Sequence, residues 1–216
     1  MSDSVLIIGT GAQAKYAIEI FTLIKMPVSG LICLSSDKPA EGINGVDVLG
    51  SMDDFKKIYS DRNKPFLLLA NSSNKVKEEL SEKLSGYSPA YINAIHPSAV
   101  IATTAQLGRG IIINPNAVIQ PNAKIGNHVM IHAGVIVEHD CVVGDYVNLA
   151  PRAVLAGHAK VGKGTTVYTG AVIIPVVEIG EYSKVGAGAV LLKSIGDNVT
   201  VAGIPALPVK SKKKKK

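Results

Sequence analysis

Three groups of residues have types and spacings that could do chemistry. The first is the turn Gly9-Thr10-Gly11-Ala12-Gln13-Ala14, which follows the apolar run Val5-Leu6-Ile7-Ile8. Glycines let a backbone approach a phosphate closely, and a helix starting there turns free N–H groups toward it. Ser35-Ser36-Asp37 and Asn71-Ser72-Ser73-Asn74 follow two further apolar runs, and the Asp37 carboxylate could meet a ribose hydroxyl. All three segments end strands on the side where such sheets bind ligands, so a nucleotide fits. A plain tight turn between strand and helix would use the same glycines, and spacing alone leaves both readings open.

The second group is the five histidines, a number that invites a metal. His96 and His132 are 36 residues apart, but Ala133-Gly134-Val135-Ile136-Val137 supplies no third ligand nearby, so no metal site is expected. His128 and His158 fit exposed corners. The third group is Cys33 and Cys141; two cysteines make no disulfide framework. Cys141 falls on an inward position of the repeat described next, where a packed thiol is expected rather than a nucleophile.

That repeat must position everything beyond residue 94. From Ile95 to Leu191 every sixth residue is Ile, Leu or Val, without a gap. Four residues after the anchors come small or apolar side chains, including Ala99, Ala117, Cys141, Ala153 and Ala171. A helix at 3.6 residues per turn cannot hold a six-residue register this long, whereas short strands broken by corners can. This is the hexapeptide signature of a parallel β-helix. Three hexads make one triangular coil of 18 residues, so residues 18 apart stack in one column, and the last coil ends near Asp197.

Residues 1–94 read as a small α/β unit. Strands are expected at Val5–Ile8, Leu31–Leu34, Phe66–Ala70 and Ala90–Asn93, and helices at Lys15–Ile24, Asp53–Tyr59 and Asn74–Leu84. Alternating strands and helices imply a parallel sheet about half the size of a full dinucleotide-binding domain. The expected division is therefore a Rossmann-like unit over 1–94, a β-helix over 95–209 and a disordered lysine-rich tail over 210–216.

Bulk composition excludes several functions. The net charge of +6 belongs to the tail: without Lys210 and Lys212–Lys216 the 23 basic residues fall to 17, matching the 17 acidic ones. A nucleic-acid binder would need a charged face, and the totals of this body show none. No apolar run is long enough to span a membrane, and the start lacks the pattern of a secretory signal. With no disulfide framework, a cytoplasmic location is expected.

A half-Rossmann unit joined to a hexapeptide β-helix resembles the sugar acetyltransferases of the NeuD/PglD type. The resemblance covers nearly the whole chain and is carried by four segments: the turn at 9–14, the link Asn93-Ala94-Ile95-His96-Pro97-Ser98-Ala99, Glu138-His139-Asp140-Cys141-Val142-Val143-Gly144-Asp145, and Val201-Ala202-Gly203-Ile204-Pro205-Ala206. It implies a left-handed β-helix and transfer of acetyl from acetyl-CoA, with no metal. The implied acceptor is a nucleotide-linked amino sugar, or alternatively a hydroxyl of a sialic acid; a binding module without catalysis is a lesser alternative.

The same resemblance makes His139 the catalytic histidine and Asp140 the acid that raises its basicity. Imidazole titrates near neutral pH, and a carboxylate beside it orients the ring and stabilises its charged form. Implied acetyl-CoA contacts are Thr169 and Ala187, with Gly157 and Gly186 beside them, and Asn148, which stands where the family often has a second histidine. The implied substrate residues are Gly9, Gly11, Ala12, Gln13, Ser35, Ser36, Asp37, Ser73 and Asn74. Ala12-Gln13 replaces the family's Gly-His pair and Ser35-Ser36 its acidic pair, which leaves the nucleotide and sugar open. Thr169 and Ala187 share a column, whereas His139 projects to position 157, twelve residues before Thr169. Twelve residues span two faces of the prism, so one chain cannot bring both groups to one substrate. A homotrimer with sites between subunits is expected.

Overall fold

The computed structural model describes residues 4–34 and 42–209. Ser35, Ser36 and Asp37, and the tail from residue 210, lie outside the described residues.

The first part is a four-stranded parallel sheet of order β3-β2-β1-β4, formed by β1 (Val5–Ile8), β2 (Val28–Cys33), β3 (Val48–Ser51) and β4 (Phe66–Leu69). Every residue of β1 is fully buried, as a central strand covered on both faces must be. Helices α1 (Ala12–Leu23), α2 (Phe55–Asp61) and α3 (Asn74–Leu84) cover the sheet. α1 starts three residues before its expected beginning, because only Gly9 needs a non-helical backbone (φ 128°) while Gly11 is already the N-cap. A Cβ on Gly9 would stand 2.3 Å from the Ala70 carbonyl oxygen, so this turn is packed against the end of β4.

Two expectations are corrected. β3 was not expected, since Gly50 interrupts its apolar run; parallel pairing with Leu31–Cys33 overrides that weak propensity. The strand expected at Ala90–Asn93 shrinks to a single bridge between Leu67 and Tyr91, because the chain enters the second part at Ala94.

The second part consists of two-residue rungs at six-residue steps, from β5 (Ala94–Ile95) to β21 (Val190–Leu191), closed by β22 (Thr200–Ala202) and β23 (Leu207–Pro208). They stack as three sheets, parallel except for the final β22–β23 pair, with each rung through β21 aligned to one 18 residues away, as Met130 is to Asn148; the last coil is two residues shorter, so that Lys184 pairs with Thr200. The anchors point inward and form one buried ladder that includes Cys141. Each corner turns on one residue of left-handed backbone, again every sixth: φ lies between 51 and 70° from Gly110 through Gly188. Glycine, asparagine and aspartate adopt this conformation most cheaply. Other types also occupy it, such as Tyr146, Arg152 and Tyr182, and the β-branched Val176, at φ 58°, is the costliest of them.

The outward residues give each face its character. One face carries Val100, Val118, Ile136, Val154, Val172 and Val190. A second carries Gln106, Lys124, Val142, Lys160 and Glu178, and is open to solvent. The third, with Ala94, Ile112 and Met130, is covered by α1 through Ala14, Ala17 and Ile18.

α3 also locks onto this third face. Asn74 Nδ2 donates to the Gly164 carbonyl (2.9 Å) and to Thr166 Oγ1 (3.0 Å), and Glu78 accepts from Lys163 and Tyr182. Lys77, buried, donates to the His128 carbonyl at 2.7 Å. His128 is therefore not the exposed corner expected of it. It is 4% exposed, stacked on Tyr146 and edge-on to Tyr91, because α3 covers this corner.

Burial, with Lys77 adding its charge, pushes the His128 imidazole down to about 4, and burial pushes the Lys77 ammonium down to about 7. Below its ordinary 6.5 the unfolded chain binds a proton at His128 that the folded chain refuses, so stability falls as pH drops from 6.5 toward 4. Thermal unfolding across that window is expected to show a falling midpoint. His128→Asn, which suits the left-handed backbone, should flatten the slope; an unchanged slope would assign it to other groups.

Candidate active site

The corner between the valine-rich face and the lysine-bearing face brings together four polar side chains from three successive coils. Asn122, Asp140 and His158 are 18 residues apart and occupy the same left-handed position (φ 61, 59 and 61°). Asn122 Nδ2 donates to Asp140 Oδ1 at 3.2 Å, from the coil below. His139 Nδ1 lies 2.8 Å from Asp140 Oδ2. An ionised carboxylate only accepts, so Nδ1 carries a proton, and in the neutral ring Nε2 then keeps its lone pair. The hydrogen bond from His139, followed by that from Asn122, holds the Asp140 carboxyl below the usual aspartate range.

Gly157 explains how the imidazole fits. It lies one coil above His139, and a Cβ there would come within 2.7 Å of His139 Cε1 and Nε2. Its φ is not in the left-handed region, so glycine is required here by close approach rather than by backbone conformation. His158 completes the corner, with its ring perpendicular to that of His139 at 5.2 Å and its Nε2 3.9 Å from Asp140 Oδ2. Ligating atoms of His139, Asp140 and His158 lie within 4.8 Å of one another, a spacing that could hold a divalent ion. His96 and His132, the pair considered for a metal from the sequence, are not part of this trio, although the 18-residue step from Asp140 to His158 is visible once the coil length is known.

The remaining expected site residues lie elsewhere on the chain. Thr169 and Ala187 stack at the corner on the other side of the valine-rich face, joined by the Gly188 N–H to the Thr169 carbonyl at 2.9 Å. Gly186 opens the last turn of that column and packs against Ala202. Lower in the same column, Pro115, Ala133 and Pro151 border a cleft that also contains Tyr16 and Glu19 of α1, with His96, Asn114 and His132. Tyr16 meets the His132 ring edge-on. Asn148 points outward on the face covered by the first part, and its Oδ1 is buried without a partner among the described residues.

Gln13, in the first turn of α1, is 7% exposed, and its Oε1 likewise has no partner among the described residues. Gly9, Gly11 and Ala12 form the turn before it. Ser73 caps α3 by accepting from the Val76 N–H at 3.4 Å. Asn74 is not free for a ligand through its amide nitrogen, which joins the two parts; only its Oδ1 is unpartnered. Within one chain, then, His139, Asp140 and Gly157 are together. Thr169 and Ala187 lie one face away, and Asn148 lies on a third side.

The family model described as bacterial transferase hexapeptide (six repeats) matches residues 122–157 and 158–193. Among solved structures, a variant of perosamine N-acetyltransferase from Caulobacter crescentus, in complex with CoA and GDP-perosamine, superposes with a TM-score of 0.91 at 31% identity, over 96% of this chain and 97% of that one. The acetyltransferase domain of PglB from Neisseria gonorrhoeae, in complex with acetyl coenzyme A, gives 0.89 at 25% identity, over 97% and 100%. WeeI from Acinetobacter baumannii gives 0.76 at 25% identity, over 95% and 99%. Comparison with curated protein sequences gives no match. The half-Rossmann unit followed by a left-handed hexapeptide β-helix is the architecture that these structures share with this chain. The chain belongs to the NeuD/PglD-type sugar acetyltransferases, hexapeptide-repeat enzymes that use acetyl-CoA as co-substrate.

Proposed function

We propose that this protein acetylates the amino group of a nucleotide-linked amino sugar, with His139 as general base. The observation that carries the reading is the His139–Asp140 pair at 2.8 Å, which points Nε2 toward Gly157 of the coil above. The acceptor amine attacks the thioester carbonyl, forming C–N as C–S breaks. His139 Nε2 takes a proton from the amine and returns it to the departing CoA sulfur. Asp140 holds the imidazole in the tautomer that can accept and stabilises the imidazolium. The Caulobacter relative, bound to CoA and GDP-perosamine, supports an amine acceptor on a nucleotide-linked sugar. The unpartnered oxygens of Gln13 and Asn148 can take hydrogen bonds from the donors of such a ligand.

The working unit we infer is a homotrimer. The valine-rich face is an apolar strip several coils tall, of the kind that marks an interaction surface. It separates the His139 corner from the Thr169/Ala187 corner. Packing of such faces about a threefold axis would bring the first corner of one subunit to the second corner of the next.

Thiol release from acetyl-CoA, measured against GDP-, UDP- and dTDP-amino sugars and against free and CMP-linked sialic acid, tests the substrate class. His139→Ala should lose about a hundredfold or more in kcat; equal rates would remove the base assignment. Gly157→Ala should displace the imidazole and lower kcat while the unfolding temperature stays near that of the parent. Sedimentation should give a trimer, and Val154→Asp should dissociate it with loss of turnover. A monomeric, fully active parent enzyme would overturn the shared-site arrangement.

A further inference from the structure

The geometry assigns His158 as a positioning residue of the active site, acting on His139 through the Asp140 carboxylate. This rests on the base role proposed for His139 and goes beyond it by adding a residue from the next coil.

A hexapeptide corner needs only a residue that tolerates left-handed backbone, and glycine or asparagine fills that position at Gly110, Asn116, Asn122 and Gly134. An imidazole at 158 is therefore not demanded by the fold. Its placement serves the carboxylate instead. Asp140 has two oxygens. Oδ1 is bound by Asn122 from the coil below, and Oδ2 by His139 at 2.8 Å. His158 Nε2 stands 3.9 Å from that same Oδ2, from the coil above, at ion-pair distance and too long for a direct hydrogen bond. The carboxylate is thus approached from below, from its own coil and from above.

The His158 ring also meets the His139 ring at right angles, with centroids 5.2 Å apart, and so stands against one side of the proposed base. A base whose ring can swing off its carboxylate spends part of its time in the wrong orientation, and a small misplacement of a catalytic group costs rate. Side chains of His139 and His158 are both about half exposed, at 52% and 57%, so burial alone does not hold either ring in place. Contact with each other, with Asp140 and, for His139, with Gly157 restrains them. Lys160, two residues on from His158, is engaged by Glu178 at 2.6 Å and is not a competing partner for the carboxylate.

The test is a double-mutant cycle of His158→Asn and Asp140→Asn, assayed as thiol release with EDTA present so that no metal contributes. Both substitutions put asparagine at a left-handed corner, where it is well tolerated, so the proteins should fold with unfolding temperatures no lower than the parent's. His158→Asn should lower kcat about fivefold, with KM for acetyl-CoA unchanged, as expected for coupling between contacting side chains. In the Asp140→Asn background the same change should have no further effect, because the carboxylate through which His158 acts is gone. His158→Gln, which can reach the carboxylate with an amide N–H, should recover part of the loss.

Full kcat in His158→Asn would overturn the inference. So would an equal fivefold loss in the Asp140→Asn background, which would place His158 outside the carboxylate's influence. Failure of the base reading has a separate signature: His139→Ala would then keep its rate, whatever His158 does.

Discussion

The structure depends on one constraint: backbone hydrogen bonding between coils that are 18 residues apart. Each two-residue rung satisfies its N–H and C=O groups on the rungs above and below, as Met130 N–H does on the Val147 carbonyl at 2.9 Å and His132 N–H on the Leu149 carbonyl at 3.0 Å. A single rung has too few bonds to persist alone. Stacking makes the register cooperative, and an insertion of even one residue in a coil would turn anchors such as Ile131 and Leu149 away from the buried ladder. The corners obey the same constraint, because three faces can close only if the backbone turns at every sixth residue. The left-handed φ recurring from Gly110 to Gly188 is how it turns.

Function follows from that rigidity. Side chains in one column are separated by about 4.8 Å, the spacing of paired strands, and this is the distance over which polar groups can cooperate. Asn122, Asp140 and His158 occupy one such column, and His139 joins it from the adjacent position. An imidazole and its carboxylate mounted on stacked rungs need no loop closure to become ordered. Gly157 leaves the one gap in the packing that the imidazole requires. Conversely, rigidity keeps the His139 corner and the Thr169 corner from meeting within a chain, and this is the physical ground on which we propose a homotrimer.

Much of this was legible in the sequence. The hexad anchors from Ile95 to Leu191 gave the coil and its stacking, and α3 over Asn74–Leu84 agreed to the residue. His139-Asp140 stood out through resemblance, and adjacency in sequence made their contact easy to anticipate. What the sequence does not reveal depends on burial by a distant element. His128 looked like an exposed corner because the repeat marks it as one; α3 then covers it, with Lys77 bonded to its carbonyl. Asn74 looked like a ligand residue at a strand end, yet its amide nitrogen ties the two parts together. β3 escaped because its four residues have an edge strand's weak pattern and gain their order from β2.

The sequence by itself determined the period, the inward and outward sides of every rung, and the columns that stack, because backbone pairing makes these a matter of counting by six and eighteen. Only the tertiary structure decided which face the first part would cover, which corner would stay open, and that His158 would stand over Asp140 with its ring against His139. Counting places residues in a column, but side-chain direction and the shielding of one face come from packing between parts that are far apart in the chain. That packing is a sum of many small contacts without a period of its own.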